Sequence, residues 1–327
     1  MLQYIARRLL YMVPTLLIIS VIAFAIIELP PGDYLTAYMA NLAQTGTQAS
    51  EDAIAALKRQ YGLDKPVYLR YVHWVWRLLH GDMGMSFEWN RPVAELIWER
   101  LILTFVVSLF TTLFIWAVAF PIGIYSAVRQ YSVGDYIFTG LSFIGLGIPN
   151  FLLALVLLWF AFSRWGVALT GLFSPQYMDA PWSMAKVLDM MKRIWIPVVI
   201  LGTSGTAGLI RTMRANLLDE LRKPYVITAR AKGLPEMRLL FKYPVRIAIN
   251  PFISTVGWTL PGLVSGATIV SVVLSLPLNG PLLLNALLNQ DMYLAGSFIM
   301  LLSSLTVIGT LVSDILLAWV DPRIRYT

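Results

Sequence analysis

Between Arg246 and Asp291 the chain runs for 44 residues, 247–290, without one Asp, Glu, Lys or Arg. A water-soluble domain carries roughly a quarter of its residues as charges and does not leave such a stretch bare. Here the charged fraction is 13% and the hydrophobic fraction 58%, with a mean hydropathy of +0.70. The apolar residues come in unbroken runs rather than one-sided stripes. A water-soluble fold is excluded.

Cysteine is absent, which excludes disulfides, thiolate metal sites, iron–sulfur clusters and cysteine nucleophiles. The two histidines, His73 and His80, lie outside the apolar runs. That argues against an intramembrane protease that needs a buried His. A formal charge of +7 is compatible with nucleic-acid binding. In a membrane protein, however, excess Lys and Arg marks topology, so no nucleic-acid partner is expected.

A bilayer core of ~30 Å takes about 20 apolar residues in a helix. Six segments qualify: 9–29, 101–128, 136–162, 194–210, 252–276 and 292–320. Pro14, Pro121, Pro149, Pro197 and Pro261 fall inside them or near their ends, which packed neighbouring helices tolerate. The first segment has Arg7 and Arg8 before it, but its apolar run exceeds the ~7–15 residues of a signal peptide. No A-x-A site follows closely, so a retained helix is expected.

Six spans put both termini on one side, with loops 129–135 and 211–246. That side holds Arg7, Arg8, Arg129, Arg323, Arg325 and the nine basic residues of loop 211–246. The other side holds its few cations in the long segments 30–98 and 163–193, and long segments count little. The termini and loop 211–246 are therefore expected to be cytoplasmic. In the outer segment, Ser50, Glu51 and Asp52 predict a helix start and Gly62 its end. Pro66 predicts a second helix, with Leu69, Val72, Trp76 and Leu79 at helical spacing and Gly81 as its stop. Trp74, Trp76, Trp89 and Trp98 suit an interfacial belt with a small core, or a docking surface for an outer partner.

Loop 211–246 carries nine basic residues against three acidic ones. Pro224 can open a helix and Gly233 can close it in the left-handed conformation, giving a two-turn helix over 225–232, roughly 12 Å long. Pro235 then starts another helix that returns to the membrane through Leu239, Leu240 and Val245. The small residues Ala229, Ala231 and Gly233 suit insertion into a groove on another protein, with Arg230 and Lys232 meeting acidic groups at its rim. An amphipathic helix lying on anionic lipid fits the same spacing.

The string TARAKGL at 228–234, preceded by LIRTMRANLLDEL at 209–221, resembles the coupling loop of ABC importer permeases. The resemblance is to the first permease subunit of the dipeptide/oligopeptide/nickel group. It extends to YIARRLLYMVPTLLIISVIAF at 4–24, YGLDKPVYLRY at 61–71 and GDMGMSF at 81–87. GLGIPNF at 145–151 and DPRIRY at 321–326 also fit, so six strings stand in family order.

The resemblance implies an all-α integral membrane protein with six transmembrane helices and a cytoplasmic coupling-helix loop, like a type I ABC importer permease. It implies an N-terminal span at 1–30, an extracytoplasmic segment at 31–100, a five-helix transport core at 101–320 and a cytoplasmic tail at 321–327. The implied partners are a second permease, two ATP-binding cassette subunits and an extracytoplasmic solute-binding protein, in a bacterial or archaeal cytoplasmic membrane. Docking on the ATPase would fall to Tyr225, Thr228, Ala229, Arg230, Ala231, Lys232, Gly233, Leu234 and Pro235. The residues agree independently. No GK dipeptide occurs, so the phosphate-binding loop is missing. ATP and Mg belong on partner subunits, and this chain binds no cofactor or metal.

The chain departs from the family in places. Importers at large carry an acidic residue where this chain has Ile227. Peptide permeases usually show a Glu and a Phe in a segment matching 269–280, where Ser271 and Leu274 stand. The solute is therefore an oligopeptide or one of similar size, with an oligosaccharide also open. An ion-coupled carrier is the main rival, but it usually needs ionisable groups at mid-membrane. No charged residue sits in the middle of any span, and Asp314 lies near the inner end of the sixth. A channel would need a filter or charged ring, and neither is present. Ser204 has no group nearby in sequence to activate it as a nucleophile. Polar groups of the fifth span, Ser254, Trp258, Thr259, Ser265 and Thr268, are candidates for lining the route. Each is also of a type that bonds its own helix or packs there. Gly202, Gly205, Gly208 and the pair Gly262 and Gly266 are expected at close helix contacts.

Overall fold

The computed structural model describes residues 2–28, 65–166, 169–252 and 268–320. Regular structure among them is helical, and the only β-contact is a bridge between Met85 and Pro92. A helix satisfies its own backbone groups, which hydrocarbon requires of a spanning segment. In chain order the helices are α1 (Leu2–Glu28), α2 (Val67–Leu79), α3 (Val93–Val128), α4 (Val133–Gly147) and α5 (Asn150–Trp165). Then come α6 (Met184–Arg193), α7 (Trp195–Leu221), α8 (Pro224–Ala231), α9 (Glu236–Lys242) and α10 (Pro244–Ala248). The last are α11 (Thr268–Val273), α12 (Asn279–Leu288) and α13 (Met292–Val320). Contacts divide the chain into two units, Met1–Ile102 with Leu278–Leu311, and Leu103–Pro277 with Val312–Thr327.

In the first unit, α2 packs on α1. The Phe24 ring stands edge-on to Tyr71 at 5.3 Å and lies 5.9 Å from Trp74. Ser20 Oγ and Tyr71 Oη share a 2.8 Å hydrogen bond, and Arg70 donates to Glu28 at 2.6 Å. The packed face is Tyr71, Trp74, Val75 and Leu78. The residues noted at helical spacing, Leu69, Val72, Trp76 and Leu79, lie on the exposed face. Spacing alone does not separate the two, since both faces repeat apolar residues at a helical period.

The string at 81–87 turns out to be a clamp. Gly81, at φ +78, closes α2 in a Schellman motif, with Asp82 N–H donating to Arg77 O at 2.9 Å and Gly81 N–H to Leu78 O at 3.0 Å. Arg77 and the Gly84 N–H bind the Asp82 carboxylate and hold its pKa below the ordinary value. Gly84, at φ +84, lies so close under Tyr293 that a Cβ there would come within 2.9 Å of its ring. Ser86 Oγ and Phe87 N–H then donate to the buried Asp291 carboxylate at 2.5 and 2.9 Å. Asp291 also caps α13, accepting from Leu294 N–H at 3.2 Å.

The second unit is built along α7, about 40 Å long at 1.5 Å per residue. Its glycines admit α3: a Cβ on Gly202 would meet Phe114 at 2.6 Å, and one on Gly205 would meet Ile115 at 2.6 Å. Gly123 of α3 approaches Met213 Cβ and Ile210 O, which a Cβ would meet at 2.8 and 3.2 Å. Gly145 of α4 rests on Thr203 and Ala207 of α7. Gly208 faces open space, so only part of the glycine series serves close packing. Before α7, Asp189 accepts from the N–H and Oγ of Ser174. The buried Lys186 donates to Ala180 O at 2.6 Å beside the Phe173 and Trp182 rings.

Several expected spans change form. Residues 136–162 are not one helix, because α4 and α5 are bent by 98° at Ile148–Pro149. Proline lacks an N–H and pushes the preceding residue out of the helical region, and Ile148 lies at φ −93, ψ 118. The fourth helix does not end at 210 but continues to Leu221. Among the described residues three helices are long and apolar enough to cross a membrane, Val93–Val128, Trp195–Leu221 and Met292–Val312, or four if the bent pair is one span. The first helix holds a shorter apolar stretch, Leu9–Ala25. Most of the fifth span, the helix expected at 50–61, Pro261, Gly262, Gly266 and the tail at 321–327 lie outside the described residues.

Three outcomes check this packing and capping in purified protein heated in detergent. Gly123→Ala should lower the unfolding midpoint, overpacking costing about 1–3 kcal/mol. Gly208→Ala should leave it unchanged or raise it, because Gly in a helix costs roughly 0.5–1 kcal/mol against Ala. Asp291→Ala strands the Ser86 hydroxyl and the amides of Phe87, Glu88 and Leu294, and should destabilise by about 2 kcal/mol or more.

Candidate functional site

The chain leaves α7 through Arg222 and re-enters helix at once. Lys223 is extended and Pro224 occupies the first position of α8, where its missing N–H costs nothing. Thr228 Oγ1 donates to Pro224 O at 2.9 Å. The helix closes as its sequence foretells. Gly233 lies at φ +77, its N–H donates to Arg230 O at 3.0 Å, and Leu234 N–H donates to Ala229 O at 3.4 Å. This is a Schellman motif, completed by Leu234 packing back on the cluster that contains Ala229. Lys232 is the cap residue rather than part of the helix.

Val226, Ala229 and Leu239 form a small buried core, with Tyr225, Leu234 and Tyr243 around it. The hairpin of α8 and α9 is thus held by its own side chains. The Tyr225 hydroxyl donates to the Glu220 carboxylate at the end of α7, and burial together with that carboxylate pushes the phenol pKa up. Arg230 and Glu236 pair at 2.5 Å across the turn containing Gly233 and Pro235. The pairing raises the Arg230 pKa and lowers that of Glu236, but both side chains are exposed and the bond is a weak brace.

The small residues singled out by sequence therefore separate. Ala229 is only 8% exposed and belongs to the loop's own core, whereas Ala231 and Gly233 face outward. The outward face of α8 is Ile227, Thr228 and Ala231, flanked by Arg230 and Lys232. The helix expected to run from Pro235 through Val245 is broken: α9 ends at Lys242, Tyr243 sits at φ −118, ψ −80, and Pro244 opens α10. Proline again prevents a continuous helix. Through Leu240, Val245 and Ala248, α9 and α10 pack into a cluster with Ala127, Met213 and Leu217.

Sequence reasoning missed one feature. Arg214 of α7 grips Asp135 of α4 with two hydrogen bonds, Nε to Oδ1 at 2.9 Å and Nη2 to Oδ2 at 2.8 Å. Arg214 had counted only toward topology and within the family string at 209–221. The available signal was Ser132 followed three residues later by Asp135, a helix-start pattern that leaves a carboxylate at the helix mouth. Of the candidate route residues, Thr268 is half-buried at the start of α11. Ser254, Trp258, Thr259 and Ser265 lie outside the described residues. Among the described residues no cluster of three His, Asp or Glu side chains is placed to hold a metal.

The sequence profile described as "Binding-protein-dependent transport system inner membrane component" matches residues 119–326, and the profile for the N-terminal part of such components matches 1–109. The chain belongs to this family. It is 35% identical over 327 residues to an oligopeptide transport system permease protein, AppB, of Bacillus subtilis, covering all of both chains. It is 30% identical over 342 residues to a dipeptide transport system permease protein, DppB, of Escherichia coli, covering all of this chain and 99% of that one. A glutathione transport system permease protein, GsiC, of Salmonella choleraesuis is 32% identical over 328 residues, again covering all of both.

The chain is thus a type I ABC importer permease, a multi-pass inner-membrane protein and not an enzyme. It works with a solute-binding protein and with ATPase subunits that hydrolyse ATP. Nothing in the family match supports an ion-coupled carrier.

Amide hydrogen exchange over α8 tests its local architecture. Ala229→Trp should melt the hairpin, since overpacking costs about 1–3 kcal/mol. Gly233→Ala should weaken it by roughly 1 kcal/mol through backbone strain alone, because a Cβ there meets nothing within 4 Å. Ala231→Trp, on the outward face, should leave protection unchanged.

Proposed function

We propose that this chain is one of two homologous permeases in an importer with two ATP-binding cassette subunits, which bind ATP and Mg, and an extracytoplasmic solute-binding protein. It alternates between outward and inward access. The exposed face of α8, a rigid helix stub displaying Ile227, Thr228 and Ala231 between two cations, carries this reading. A short helix with one apolar anchor, Ile227, beside small outward side chains suits a partner groove, and a self-supporting hairpin transmits a push without melting. Coupling thus rests on Thr228, Arg230, Ala231 and Lys232 at the surface, and on Tyr225, Ala229, Gly233, Leu234 and Pro235 to set the shape.

With six spans, loop 211–246 and both termini are cytoplasmic, supported by the concentration of Lys and Arg there. The division into 1–30, 31–100, 101–320 and 321–327 follows from the same count. Three relatives named for oligopeptides, dipeptides and glutathione favour a peptide as solute. Ser271 and Leu274 do not weigh against it, since both side chains are buried rather than set on an open wall.

Purified alone, the chain should hydrolyse no ATP, while co-expression with its partners should yield an assembly whose hydrolysis responds to the loaded binding protein. Ala231→Trp should abolish that response with insertion intact, whereas Arg230→Ala should reduce it only partly. If Arg230→Ala silences the response and Ala231→Trp leaves it whole, α8 meets its partner by charge and not by close packing. A reporter after Lys232 should read cytoplasmic and one near Gln44 extracytoplasmic. Mass spectrometry of ligand co-purified with the binding protein should find peptide, and an oligosaccharide there would reverse the solute assignment.

A further inference from the structure

The ion pair between α4 and α7 has more partners than helix capping requires. Asp135 is 3% exposed and Arg214 26%. Besides the two bonds from Arg214, the carboxylate accepts from Tyr131 N–H at 3.0 Å and Thr139 Oγ1 at 3.3 Å, while Ser132 Oγ caps the Asp135 N–H at 3.2 Å. Ser132 and the carboxylate suffice to start α4, so Arg214 adds a tie to a different helix. Burying charge is weak support for stability, because apolar replacements of buried pairs are often neutral or better. A planar two-bond fork instead fixes distance and orientation.

Its position gives that fixing a use. Arg214 lies about 29 Å along α7 from Trp195, near the far edge of a hydrocarbon core, and roughly 10 Å before the helix ends at Leu221. Beyond that end, α8 packs on Leu239 of α9, and α10 returns to Met213 and Leu217 of α7. The pair hands that assembly on to α4, whose other end is the 98° bend at Pro149.

We propose that Asp135 and Arg214 are positioning residues of the transport cycle, a rigid strut through which displacement of α8 reaches α4. This rests on the coupling role proposed above for α8. Contiguity alone does not establish a path, so the test reads coupling directly. The assembled transporter, reconstituted with its partners, is stimulated by its solute-binding protein as purified. Variants Arg214→Lys, which keeps charge but loses the fork, and Asp135→Asn, which keeps shape but loses charge, are compared with Ala231→Trp. Because the chain has no cysteine, Val133→Cys and Ala215→Cys can carry spin labels beside the pair without competing thiols in this subunit.

The expected result is intact assembly, stimulation reduced about five-fold or more in both pair variants, and a label distance that stays single with and without ATP in the parent but broadens in the variants. Wild-type stimulation in the pair variants, with Ala231→Trp silent, overturns the strut and leaves the coupling loop standing. If Ala231→Trp is also without effect, the coupling reading falls and the strut with it. Pair variants whose surviving complexes keep full stimulation and one label distance, but melt earlier, show a purely stabilising contact and overturn the proposal.

Discussion

In hydrocarbon no water stands ready to bond a free N–H or C=O, so each departure from helix must supply its own partners. Within the spans that constraint acts directly, and at the helix ends outside them the same accounting holds for backbone buried in protein. Where α2 and α8 end, Gly81 and Gly233 close the helix with paired backbone bonds. Where α4 and α13 begin, Ser132 and Asp291 cap the first turn. At 148–149, 223–224 and 243–244 the chain breaks at proline, which has no N–H to leave stranded.

Helix association in lipid lacks the hydrophobic drive available in water and depends on close approach. In the second unit α7 provides it, with Gly202 and Gly205 toward α3 and the Thr203–Ala207 surface toward Gly145 of α4. Because α7 continues past its apolar part to Leu221, one rod carries both this packing and the base of the α8–α10 assembly. In the coupling role proposed for α8, a flexible tether would dissipate any push. Here α8 sits on a helix that other helices grip along its length.

Much of the site was legible. Pro224 and Gly233 bracket α8 in sequence as they do in space, since proline and left-handed glycine act within a few residues. GDMGMSF was recognisable as a string but not as a mechanism, because its partner Asp291 lies more than two hundred positions away. The packed face of α2 was not legible for a different reason: Trp74 and Trp76 are equally apolar, and only packing on Phe24 distinguishes them. Likewise Ala229 and Ala231 are the same residue two positions apart, one inside the hairpin and the other on its surface.

The sequence by itself determined that this is a helical membrane protein without a phosphate-binding loop of its own, and its family strings marked it as a permease, because run length, charge and motifs do not depend on how the chain packs. It also determined where helices begin and stop wherever proline, glycine or a capping side chain acts locally. Only the tertiary structure decided that residues 136–162 turn through 98°, that Ala229 faces inward, and that Arg214 meets Asp135. Those outcomes depend on which apolar surfaces find each other and how closely. In a chain where core and lipid faces share one chemistry, spacing and composition do not encode that choice.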